Sequence, residues 1–142
     1  MRLIIIYGLP GVGKKTVGEI LAQKMDYVFL HNHQILDLVR SYIPQTFSIS
    51  ALISREFRAR LIEGIVQTGQ YAGLVTTFAG GSPGSADAID NFARPIEEAG
   101  GEVILIELTA DMDIIRERIE RPERKGGYKI QSHTEFDAFL KK

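Results

Sequence analysis

The 142-residue chain contains no cysteine at all. That excludes a disulfide framework, a thiolate metal cluster and a cysteine nucleophile. It suits a reducing compartment, so a cytoplasmic location is expected. Long apolar runs are also missing. The longest, Leu3 to Tyr7, is far below the roughly 20 residues that a spanning helix needs. No basic leader and small-residue cleavage site frame it, so no signal peptide is expected. An excess of either charge is lacking too, with 17 basic residues against 18 acidic ones. A net charge of −1 gives no reason to expect nucleic acid or a membrane surface as partner. What is present is 44% apolar residues in a length that suits one domain with a real core.

The apolar residues alternate between two periods. Leu3 to Tyr7 is β-branched, ends at Gly8 and reads as a strand buried on both faces. Val17, Ile20, Leu21 and Met25 recur at helical spacing and predict a helix over about 14–25. Tyr27 to Leu30 is a second short strand, followed by a helical stripe of Ile35, Leu38, Val39 and Tyr42 that stops near Pro44. A helix from about Ser50 to Thr68 is expected to turn Leu52, Ile53, Phe57, Leu61 and Ile65 inward. Leu74 to Phe78 is a third strand, and Ala79 to Ser85 is the richest turn segment of the chain. From Ser85 a helix should reach about Ala99, kinked or split at Pro95 and ended by Gly100-Gly101. Val103 to Leu108 is a fourth strand, and Ile114, Ile115 and Ile119 mark a helix that stops before Pro122. Ser132 and Glu135 have capping-box spacing for a last short helix. Strands joined through helices imply right-handed parallel crossovers and a sheet covered on both faces, a three-layer α/β fold with about four strands.

Gly8-Leu9-Pro10-Gly11-Val12-Gly13-Lys14 fits G-x-x-x-x-G-K. The bare pattern is weak, but it starts at the end of a buried strand and opens a helix. That context is what phosphate binding requires. Glycines let the backbone turn its N–H groups around a phosphate, the helix start contributes a positive dipole end, and Lys14 bridges the outer phosphates. A bound nucleotide, read as ATP with Mg²⁺, is therefore expected on Gly8, Pro10, Gly11, Val12, Gly13, Lys14, Lys15 and Thr16. One departure stands out: the hydroxyl residue that should follow Lys14 and ligate Mg²⁺ is Lys15, with Thr16 one place later. Either water carries the metal or its binding is weakened.

Gly13-Lys14-Lys15-Thr16-Val17-Gly18, followed by Leu21-Ala22-Gln23, resembles the loop and first helix of the shikimate kinases among P-loop small-molecule kinases. The Lys-x-Thr form is also similar to the adenylate kinase loop. Phe57-Arg58 resembles the pair whose arginine holds the substrate carboxylate in shikimate kinases, and Ala79-Gly80-Gly81 resembles their glycine-rich substrate loop. The resemblance implies a P-loop NTPase fold with strands in the order 2-3-1-4, and ATP-dependent phosphoryl transfer with Arg58, Gly80 and Gly81 on the acceptor. It also implies a mobile lid after the fourth strand's helix, whose arginines clamp the phosphates. Arg118, Arg121 and Arg124 suit that role, because planar guanidinium binds phosphate oxygens bidentately. A solvated, salt-bridged helix face is the plainer reading of the same charges.

Where that family ends the second strand with Asp-x-Asp, this chain has His31-Asn32-His33. A closer likeness is to bacterial proteins of this shape that carry a His-Asn-His segment at the same place. Shikimate is therefore not the expected acceptor. At the carboxyl end of a parallel strand beside the phosphate loop, His33 is the candidate for orienting or deprotonating the acceptor, with His31 as a second contact. Helix capping without catalytic work is the alternative for both. Asp37, one turn on, is a spare carboxylate for magnesium beside Thr16, or equally a solvated helix residue.

Two functions follow. The first is a kinase for a small hydroxylated metabolite or nucleoside-like acceptor. The second is a nucleotide-binding module that no longer catalyses, supported by Lys15 and the missing acidic pair. A GTP switch is disfavoured because no Asn-Lys-x-Asp or Asp-x-x-Gly motif appears. A motor ATPase is disfavoured because Leu74 to Phe78 lacks an acidic residue. Kinases of this type continue with a fifth strand and a closing helix, and residues 1–142 are expected to form one domain lacking both. A truncated form, or completion by a second copy in a homodimer, are the two expectations for that shape.

Overall fold

The computed structural model describes residues 1–44, 48–80, 85–124 and 126–141. Its four strands are β1 (Arg2–Gly8), β2 (Val28–Leu30), β3 (Gly73–Ala79) and β4 (Glu102–Glu107). They form one parallel sheet in the order β2-β3-β1-β4. The expected topology is thus the observed one, with β1 flanked on both sides. Leu3, Ile5 and Ile6 are fully buried, as a central parallel strand covered on both faces requires. Alternation divides that core. Leu3 and Ile5 face a cluster with Ile35, Ile62, Phe92 and Ile96. Ile4 and Ile6 face the other layer with Ala22 and Val75.

The helices are α1 (Lys14–Met25), α2 (Asn32–Tyr42), α3 (Ile49–Thr68), α4 (Ser85–Glu98), α5 (Met112–Ile119) and α6 (His133–Leu140). Pro95 does not split α4, which runs through it. Ser132 caps α6 by accepting the Glu135 N–H at 3.2 Å. The Glu135 carboxylate takes the N–H of Gln131 rather than that of Ser132, so the expected box is displaced by one residue. Among the described residues no helix is long and apolar enough to cross a membrane.

Two helices bury a different face from the one their apolar spacing predicts. In α1 the buried positions are Gly18 and Ala22, while Val17 and Ile20 are exposed. A Cβ at Gly18 would stand 2.7 Å from the Phe29 ring, so β2 packs against bare backbone there. In α3 the buried positions are Ser50, Ser54, Arg58 and Ile62, four residues apart, whereas Leu52, Phe57 and Leu61 are exposed. Small serines let α3 lie closely between α2 and α4, and the Ser54 hydroxyl is satisfied by the Ser50 carbonyl at 2.7 Å. Leu38 and Tyr42 of α2 and Ile114 of α5 are likewise outside the core.

Candidate functional site

The phosphate loop leaves β1 at Gly8 and enters α1 at Lys14. Gly8 has φ +144°, and a Cβ on it would meet the Leu108 carbonyl oxygen at 2.3 Å. Backbone cannot yield at that distance, so only glycine fits. Gly13 at the N-cap is left-handed, and no side chain caps α1. The first N–H groups of α1 therefore remain open to an anion. The Lys14 ammonium folds back on the loop, donating to the Gly8 and Leu9 carbonyls at 2.7 and 2.8 Å. Burial, then Arg124, lowers its pKa to about 8.

Beside this loop lies a cavity of about 1140 Å³. Pro10, Gly11, Val12, Gly13, Lys14, Lys15 and Thr16 line one side, and His31, Asn32, His33 and Thr77 another. Arg118, Arg121 and Arg124, which all follow β4, line it as well. Arg118 donates to the Val12 carbonyl at 3.3 Å. Arg121 is paired with Glu117 four residues back on the exposed surface. Arg124 donates to the Ile130 carbonyl at 3.0 Å, and burial lowers its pKa.

His31 is the N-cap of α2 and forms a capping box with Gln34. Its own N–H is taken by Gln34 Oε1 at 2.8 Å. The ring stacks on Phe29, with centroids 5.9 Å apart, and its Nδ1 meets Thr77 Oγ1 at 2.9 Å. Burial first, then His33 and nearby lysines, lower its pKa to about 4, so it is neutral at pH 7. His33 has its pKa lowered by burial, opposed by Asp37. Its Nδ1 is buried, 3.5 Å from Asp37 Oδ1, which is ion-pair range without a well-formed hydrogen bond. The His-Asn-His segment therefore caps a helix and lines the cavity at the same time.

The same Asp37 oxygen, Oδ1, accepts the Tyr128 N–H at 3.4 Å. It does not line the cavity with Thr16. Among the described residues no group of three or more His, Asp or Glu is arranged to hold a metal ion. The described residues do not build a magnesium cage.

Arg58 is 2% exposed and does not line the cavity. Its guanidinium donates to the Thr77 carbonyl and to Asn32 Oδ1, each at 2.7 Å, and lies 4.5 Å above the Phe92 ring. Burial, and Arg55 secondarily, push its pKa down to about 9, so it stays protonated at neutral pH. Gly80 follows β3 and lies beside the Tyr7 ring, whereas Gly81 lies outside the described residues.

Sequence reasoning missed Thr77, Asn32, Arg40 and Tyr128. Two adjacent hydroxyls, Thr76 and Thr77, in an otherwise apolar buried strand were the available signal for the first. Thr76 donates to the Leu30 carbonyl at 2.8 Å and so ties β3 to β2. Arg40 and Tyr128 form a reciprocal pair that no local spacing announces. Arg40 donates to the Tyr128 carbonyl at 3.2 Å, and the Tyr128 hydroxyl to the Arg40 carbonyl at 2.8 Å.

A β2-β3-β1-β4 parallel sheet, with a glycine loop running from its second central strand into an uncapped helix, defines a P-loop protein. The family model described as "Shikimate kinase" matches residues 10–141. The chain belongs to the shikimate kinase family. A curated relative named shikimate kinase, from Rhizobium leguminosarum bv. trifolii, is 30% identical over 135 residues. That match covers 87% of this chain, which spans 59% of the relative's length. A sugar kinase structure from a Janibacter species superposes with a TM-score of 0.65 at 16% identity, covering 99% of this chain and 78% of that one. A shikimate kinase from Acinetobacter baumannii, in complex with shikimate, gives 0.62 at 17%, covering 98% and 74%. At such identities the structures show the shared fold alone.

Proposed function

We propose that this chain transfers the γ-phosphoryl group of ATP to a small hydroxylated metabolite or nucleoside-like acceptor. One observation carries the proposal: phosphate loop, histidine pair and arginines line a single cavity. Family membership supports a small-molecule kinase without naming the acceptor.

In this reading the loop N–H groups and Lys14 hold the β- and γ-phosphates, with Lys15 and Thr16 on the remaining oxygens. Lys14 leaves the Gly8 and Leu9 carbonyls for the phosphate. His33 accepts the acceptor's hydroxyl proton as the oxygen forms its bond to γ-phosphorus and the bond to the β-phosphate oxygen breaks, releasing ADP. Arg121 and Arg124 offset the charge spread over the transferred group. His31 bounds the acceptor side, and Arg58 acts on it only through Asn32 and Thr77. Mg²⁺ is expected to travel on the nucleotide's phosphates with its waters, as this ion commonly does.

A labelled-ATP transfer assay over a panel of hydroxylated metabolites tests the reading. Turnover with at least one acceptor, lost in Lys14→Ala, is the expected result. ATP binding without transfer to any acceptor would overturn it in favour of a non-catalytic nucleotide-binding module, the reading that Lys15 after Lys14 favours.

A further inference from the structure

We propose that Thr77 fixes the tautomer of His31, so that this ring offers an Nε2–H donor to the cavity and His33 alone is left to accept a proton. The inference rests on the kinase reading for its consequence, though not for its geometry.

Thr77 is fully buried at the end of β3, and its hydroxyl meets two groups of the His-Asn-His segment. The backbone N–H of Asn32 lies 3.1 Å from Oγ1 and can only donate, so it occupies one lone pair. His31 Nδ1 lies 2.9 Å away. A hydroxyl that already accepts one bond is a better donor for the next, and its proton needs an acceptor when buried. Nδ1 supplies that acceptor if it carries no proton. The reverse assignment puts a ring N–H and a backbone N–H on the same oxygen and leaves the hydroxyl proton without a partner in this pair of contacts. The ring must then be protonated at Nε2, the nitrogen that does not meet Thr77, on a residue that lines the cavity.

Neutrality keeps the assignment in force. Burial and the charges around the ring (Lys14, Lys15, Lys129 and a protonated His33) all oppose a second proton. The ring stacks on Phe29 while its Nδ1 edge meets Thr77, and both contacts favour this orientation of the ring. A fixed Nε2–H recognises an oxygen lone pair, on a phosphoryl group or on the acceptor's hydroxyl. It cannot take up the hydroxyl proton. Two neighbouring imidazoles, with centroids 5.3 Å apart, would thus divide donor and base between them through different partners, Thr77 for one and Asp37 for the other.

Long-range ¹H–¹⁵N spectra of the full chain, without nucleotide or acceptor, read the tautomer directly, with His31→Asn giving the assignment. The wild type should show His31 protonated at Nε2 and bare at Nδ1. Thr77→Val, close in volume but without the hydroxyl, should shift the Nδ1 resonance and mix the tautomers. Thr77→Ser should retain the wild-type pattern, which keeps the test decisive if the valine variant folds poorly. A wild-type ring protonated at Nδ1, or a Thr77→Val spectrum identical to wild type, overturns the proposal. Because no turnover is measured, its failure is separate from failure of the kinase reading. If both stand, Thr77→Val should raise KM or lower kcat for the acceptor, and Thr77→Ser should restore the value.

Discussion

Arg58 Nη2 donates to Asn32 Oδ1 at 2.7 Å, and this bond ties the middle of α3 to the first turn of α2. Asn32 stands between the two histidines that line the cavity. A residue that does not line the cavity therefore holds a segment that does. The other arm of the same guanidinium reaches the Thr77 carbonyl, so one buried cation clamps the start of α2 to β3.

Arg58→Met should destabilise the fold by about 2–4 kcal/mol. Asn32 Oδ1 loses its donor inside the protein, at a cost of about 1–3 kcal/mol, and the fork that joined two elements is gone. Relief of guanidinium desolvation offsets part of the loss. Urea unfolding with an unchanged m-value measures the effect. Arg58→Lys should recover little, because one ammonium does not reproduce a planar fork between two acceptors. A loss below about 0.5 kcal/mol, the range of neutral surface changes, would show that the clamp carries no load.

Nucleotide affinity should fall as the pH rises through 8. Free Lys14 loses its proton near that pH, and phosphate binding favours the charged ammonium. Binding therefore takes up a proton above the midpoint, and the limiting slope is about tenfold per pH unit. Calorimetry between pH 7 and 9 reads it, since the phosphates are already ionised across that range. Lys14→Ala should bind weakly and without this slope. A flat wild-type profile would contradict the role given to Lys14.

Fold stability should fall as the pH is lowered from about 6.5 towards 4. The pKa of His31 in the folded chain lies below its ordinary value, so the unfolded chain binds more protons in that window. The contribution is fully present above pH 6.5 and is lost on acidification. His33 acts in the same direction, because burial outweighs Asp37. Urea midpoints at pH 5 and pH 7 should differ less in His31→Asn than in the wild type. An equal difference in both would locate the acid sensitivity elsewhere.

Gly18→Ala and Gly64→Ala should move stability in opposite directions. Both are helical glycines, and alanine is favoured over glycine there by about 1 kcal/mol. At Gly64 an added Cβ meets nothing within 4 Å, so the helix gains that preference. At Gly18 the methyl meets the Phe29 ring at 2.7 Å, and overpacking costs about 1–3 kcal/mol. Thermal melts of the two variants measure the sign. The displaced Phe29 ring should also shift the His31 resonances, because the two rings stack.

The sequence by itself determined the parts whose physics is local. Apolar runs and helical spacing predict the strands and helices to within a few residues, because burial on two faces and on one face leaves different periods. Glycine spacing predicts the phosphate loop, since the positive φ at Gly8, Gly11 and Gly13 is set by the turn itself. Right-handed crossovers fix the hand of each connection but not the order of the strands, which only the likeness of the phosphate loop to P-loop kinases implies. Tertiary structure decided which face each helix buries. Close packing rewards small residues such as Gly18, Ser50 and Ser54, and counting apolar residues inverts that choice. It also decided what the polar residues do. Arg58, Thr77 and Asn32 are separated by 19 to 45 positions in the chain and are joined only when α3, β3 and α2 converge. A histidine in a sequence is an acid, a base or a cap. Its hydrogen-bond partner, supplied from a distant strand, selects among them.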